Sequence, residues 1–214
     1  MHIPDGIIPG QICVLGYALS GGVTWYALKQ IKRGNDAQSA LPKAAMLTAA
    51  FFVGSSINLP IPPVSVHLVL NGLLGTILGW FAWPAILVGL FLQSLLLGHG
   101  GLTTLGVNAL LIGIPALLAF GVYELRHRAP TKLHPELKFR LFSFLAGMTG
   151  LGLSACIFLS LILFTIPADL DISTEQTALM GLLLAHLPLV LIEGVFTTML
   201  ASFLHRINPE LVEG

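Results

Sequence analysis

From Ile12 to Leu204 the chain is a succession of long apolar runs, divided by short punctuation in which proline, glycine and most of the charge collect. Such runs constrain the fold more than any motif. Backbone N–H and C=O groups in hydrocarbon must be satisfied within the protein, and a helix does this inside each segment. About 20 apolar residues cross a bilayer core in this form. A hydrophobic fraction of 55% with only 9% charged residues, and a mean hydropathy of +0.89, exclude the usual soluble balance. The expected class is therefore an all-α polytopic membrane protein. With a formal net charge of zero, nothing suggests a nucleic-acid surface.

Seven segments qualify as transmembrane helices: 12–31, 44–58, 64–83, 84–98, 102–123, 141–166 and 177–204. The second and fourth are short, which is tolerated where protein surrounds a span. The stretch 64–98 also reads as one interrupted hairpin. Pro115 is expected to kink the fifth helix and to free a carbonyl that a neighbouring helix must satisfy. Gly75 and Gly79, like Ala45 and Ala49, form small-residue pairs that permit close helix contact. No internal repeat is visible, so residues 1–214 are read as a single domain.

Basic residues near helix ends are retained in the cytoplasm. Lys29, Lys32, Arg33 and Lys43 follow the first segment, and Arg126, Arg128, Lys132, Lys138 and Arg140 follow the fifth. Four segments lie between the two groups, so one topology places both inside. It puts the N-terminus outside and the C-terminus in the cytoplasm, in a multi-pass protein of the cell membrane.

The chain opens "MHIPDGIIPGQ", which lacks the basic and apolar pattern of a leader, so this start is expected to be retained. A histidine in position two places three nitrogens in one dipeptide: the Met1 amine, the His2 amide and the His2 imidazole. Around one cation they close a five-membered and a six-membered ring, three corners of a square. A deprotonated amide ligand and square-planar nitrogen coordination favour Ni²⁺ or Cu²⁺. His67, near the outer end of the third segment, is the best candidate for the fourth nitrogen, with Asn71 one helical turn on to orient it. His99, in the outer "GHGG" loop, competes with it. Pro4, Asp5 and Gly6 fit a turn that folds the terminus back into the bundle.

The remaining polar residues are weaker signals. His186 and Glu193 lie two turns apart on the last helix, as a structural pair or as a proton relay. Cys13 and Cys156 are read as small core residues. An intramembrane hydrolase using Ser154 or Ser160 with His186 lacks a nucleophile elbow.

With "MHIPDG", His67 in "VHLVLNGLLG", "GHGGLTTLGVNA" and "HLPLVLIEGVFT", the chain strongly resembles the CbiM/NikM family, the substrate-binding M components of energy-coupling factor (ECF) cobalt/nickel transporters. The resemblance covers essentially the whole length. It implies an S component with a six-helix core plus an extra N-terminal helix, and Ni²⁺ or Co²⁺ as transported substrate with no organic cofactor. Its implied metal ligands are the Met1 amine, the His2 amide and imidazole, and the His67 imidazole. Its implied partners are a transmembrane coupling subunit, docking near Ala45 and Ala49, ATP-binding cassette ATPase subunits and a small N component. No GxxxxGK[ST] motif is present, so the chain is expected not to be an enzyme, with ATP hydrolysed by those partners. The alternative is a stand-alone proton-coupled divalent metal carrier with His186 and Glu193 as its relay.

Overall fold

The computed structural model describes residues 2–34, 37–61, 64–129, 134–165 and 172–212. They form seven α-helices, α1 (Gly10–Arg33), α2 (Ala40–Gly54), α3 (Asn71–Leu78), α4 (Ala82–Leu96), α5 (Leu105–Glu124), α6 (Pro135–Thr165) and α7 (Ile172–Ile207), together with one short hairpin of β1 (Asn58–Ile61) and β2 (Val64–His67). Four stretches among the described residues are long and apolar enough to cross a membrane: Asn71–Leu96, Leu105–His127, Pro135–Thr165 and His186–Ile207. Ala40–Gly54 is a shorter apolar helix.

The third predicted segment differs most from the structure. A helix over 64–83 is replaced by β2, which pairs antiparallel with β1 in a register that sets Asn58 opposite His67. The helix begins only at Asn71. Proline at 60, 62 and 63 removes backbone donors and biases the preceding residues to extended conformations. The alternation of valine with Ser65 and His67 then suits a strand.

Beyond this hairpin, α3 and α4 run in opposite directions. The far end of α3 lines a cavity of about 680 Å³ with Ile31 and Lys43. The far end of α4 sends Gln93 back to the other end of α2, where its Nε2 donates to the Phe52 carbonyl at 3.2 Å and Ser55 Oγ at 2.6 Å. Gly79, at φ +55°, supplies the left-handed backbone that this reversal needs. The interrupted-hairpin reading of 64–98 is therefore the one that the chain adopts.

All eight residues of α3 are buried, which makes it the centre of the bundle. Its glycines bring backbones together: a Cβ on Gly75 would lie 2.0 Å from the Ala116 carbonyl oxygen of α5, and one on Gly72 would lie 2.7 Å from the Ala146 carbonyl oxygen of α6. The Gly75 and Gly79 pair thus serves internal packing. Pro115 stands inside α5, and the Leu111 carbonyl that it frees accepts a hydrogen bond from Ser154 Oγ of α6 at 2.9 Å. Ser154 in turn accepts from Asn71 Nδ2 at 2.8 Å. This serine is a packing device, while Ser160 donates to its own helix at Cys156.

The ends that carry the basic residues gather at one pole. Lys43 Nζ donates to the Leu211 carbonyl at 3.1 Å, and Arg126 stacks over Tyr123 and pairs with Glu124 at 3.1 Å. The histidines at 2, 67 and 99 occupy the other pole, beyond the far end of α4.

Candidate metal centre

The N-terminal segment is folded into the bundle by its own backbone. Residues 5 and 6 form a turn in which Gly6 takes φ +85°, the left-handed conformation expected of glycine there. Ile3 and Ile8 are buried on either side, at 1% and 6% exposure. The Ile3 N–H donates to Asn108 Oδ1 at 2.9 Å, and Asn108 Nδ2 returns a bond to the Ile3 carbonyl at 3.0 Å. Thr104 Oγ1 donates to the same carbonyl at 2.6 Å. Asp5 Oδ1 accepts from both the amide and the hydroxyl of Thr103, at 3.0 and 2.5 Å. Hydrogen bonding to Thr103 holds the Asp5 carboxyl below its usual range.

The "GHGG" glycines leave room for this docking. A Cβ on Gly101 would lie 1.9 Å from Asp5 Oδ1, and one on Gly100 would lie 3.4 Å from His2 Cβ. Gly98 and Gly100 also take positive φ, at +64° and +80°.

Held in this way, the His2 ring stacks on His67, with centroids 5.2 Å apart and planes inclined by 28°. His99 is next, at 6.5 Å. His2 Nε2 and Gln93 Oε1 are both buried, and Gln93 is the side chain set to hydrogen-bond the His2 ring. Burial, with the charges of the neighbouring histidines, holds His2 well below the ordinary imidazole range. Burial likewise brings His67 down to about 3. Both rings are accordingly neutral near pH 7 and keep a lone pair for a metal. Among the described residues, no three His, Cys, Asp or Glu side chains form a ready-made cage.

The chain belongs to the CbiM family. Residues 2–211 match that family, described as the cobalt uptake substrate-specific transmembrane region. A Haemophilus influenzae protein named for metal transport is 29% identical over 99% of this chain and 97% of its own length. The fused nickel transport protein NikMN of Rhodobacter capsulatus is 29% identical over 99% of this chain, which spans 64% of that longer protein. The crystal structure of a truncated transition metal transporter superposes with a TM-score of 0.75 at 26% identity, covering 96% of this chain and 99% of the other. The CbiM chain is thus a membrane transport component, and its helical architecture is shared with a solved transporter.

Within this CbiM fold the other expected site residues divide. Met1 lies outside the described residues. His67 sits on β2 and not on a helix. Asn71 faces away from the histidines: its Nδ2 donates to the Ile112 and Gly150 carbonyls at 3.0 and 3.1 Å, besides Ser154. It therefore ties α3 to α5 and α6 and does not orient His67. Glu193 Oε1 accepts from the consecutive amides of Val69 and Leu70, a role that the helical spacing to His186 did not suggest. Asn108, Thr104 and Gln93 were not singled out from the sequence. The i, i+4 pairing of Thr104 with Asn108 beside "GHGG" was the available signal, but their partner is a residue more than 100 positions away.

Proposed function

We propose that this protein is the substrate-binding component of an ECF-type transporter for Ni²⁺ or Co²⁺. The metal is bound by the Met1 amine, the His2 amide nitrogen and imidazole, and the His67 imidazole, at the extracytoplasmic face. The observation that carries this reading is the His2 ring, pinned 5.2 Å from His67 with a buried Nε2, at the pole opposite the basic residues. Four nitrogens in a plane favour Ni²⁺ over harder cations. ATP-driven partners, a transmembrane coupling subunit with ATPase subunits, open the site inward. Ala45 and Ala49 are exposed on α2 and offer the coupling subunit a flat contact. A small N component completes the assembly.

The test is titration of the purified protein, native at its N-terminus, with Ni²⁺ and with Co²⁺, beside a form carrying one glycine ahead of Met1. Binding with a square-planar d–d band, lost on insertion and in His2→Ala and His67→Ala, is the expected outcome. Equal binding by the native and extended chains would overturn the ligand assignment. Uptake by the lone chain in proteoliposomes under a pH gradient, without ATPase partners, would favour a self-sufficient carrier instead. Affinity falls in acid, because every ligand nitrogen must be deprotonated.

A further inference from the structure

We infer that Glu193 is the positioning residue that holds His67 in its metal-binding place, by locking the backbone that follows it. This rests on the reading of His67 as a ligand. Glu193 is buried, at 1% exposure, and its Oε1 accepts from the amides of Val69 and Leu70, the latter at 3.1 Å. These amides lie two and three residues beyond His67, between β2 and α3.

The segment needs such a hold. Leu70 takes φ +57°, and among the described residues it is the one non-glycine with positive φ. A residue with a Cβ is strained there and persists only where its surroundings fix it. Turning the chain at Leu70 lets α3 start directly behind the strand, with the Leu74 amide donating to the Leu70 carbonyl at 3.0 Å. Without a buried acceptor, the Val69 and Leu70 amides would be orphaned, since both residues are closed to solvent.

The carboxylate works from a rigid base. Gly147 of α6 packs so closely on α7 that a Cβ there would lie 2.8 Å from the Glu193 carbonyl oxygen. A chain of contacts therefore runs from α6 through Glu193 to the backbone behind His67, while Asn108 fixes the His2 side from α5. Each ligand-bearing segment, outside the helices, is held by a polar side chain of a helix. Preorganisation from rigid elements is what keeps a site of this kind in geometry.

The full chain with its native N-terminus is titrated with nickel chloride as wild type, Glu193→Gln, Glu193→Met and His67→Ala, with thermal unfolding recorded for each. Glutamine keeps an oxygen for the two amides; methionine keeps the volume and removes the acceptor. Glu193→Gln is expected within about 3-fold of wild type and Glu193→Met at least about 10-fold weaker with a diminished d–d band, tenfold being about 1.4 kcal/mol. A folded Glu193→Met protein with wild-type affinity and spectrum overturns the proposal. Hydrogen exchange on the wild type gives an arm that needs no variant. The Val69 and Leu70 amides should be protected without metal and further protected by Ni²⁺, and exchange at the rate of open loops in both states overturns the inference. A wild type that binds no Ni²⁺ defeats the ligand assignment itself. Binding lost in His67→Ala but unchanged in Glu193→Met defeats only the role of Glu193.

Discussion

The N-terminal dock has no room for a methyl group at Gly101. Gly101→Ala would drive a Cβ into Asp5, 1.9 Å from its Oδ1, and is expected to lower Ni²⁺ affinity at least about tenfold, since a small misplacement at a ligand set is costly. Gly21→Ala, with nothing within 4 Å of its Cβ, is the matched control and should bind as wild type in the same titration. Asn108→Ala strips the Ile3 amide of its acceptor, which costs about 1–3 kcal/mol for a buried group. The expected signs are a lower melting temperature and faster hydrogen exchange over residues 2–8. Asp5 supplies the pH dependence of the dock. Its folded-state value lies below the ordinary carboxyl value of 3.8, so its contribution is complete above that pH and is lost as pH falls through the lower folded value. The melting temperature of wild type relative to Asp5→Asn should therefore be flat from pH 5 to 8 and converge only in strong acid.

Between helices the clearest device joins α5 to α6. Pro115 removes one amide from α5, and Ser154 supplies the donor that the Leu111 carbonyl lacks, at 2.9 Å. Ser154→Ala should destabilise by about 1–3 kcal/mol, whereas in a Pro115→Ala background, where an amide at 115 again reaches Leu111, the same change should cost much less. A double-mutant cycle in thermal unfolding measures that coupling. The need for a donor here was legible from Pro115 alone, but which serine would supply it was not. The β1–β2 hairpin was less legible, because a short apolar run has no period that separates a buried strand from a buried helix. The boundary of α6 shows the same limit at smaller scale. The helix starts at Pro135, ahead of the first apolar run, because proline suits the first turn and the Glu136–Arg140 ion pair at 2.5 Å spans it.

At the scale of the whole molecule the bundle is polar in the sense of having two poles, one basic and one bearing His2, His67 and His99. Topology is checked by cysteine labelling in a background free of Cys13 and Cys156. An impermeant maleimide added to intact cells should modify Leu102→Cys, at an exposed position of the histidine pole, and should reach Gln38→Cys, exposed at the basic pole, only after lysis. The reverse pattern would place the metal site in the cytoplasm and exclude uptake from outside.

Membrane character and the approximate helix order were determined by the sequence itself, because hydropathy is a local property read within one segment. The reversal at Gly79, the strand that carries His67, the Asn108 clamp on Ile3 and the Glu193 hold on Leu70 were decided only by the tertiary structure. Each of these joins groups that are remote in the chain or resolves a local ambiguity through packing. Their partners become neighbours only when the helices close around α3.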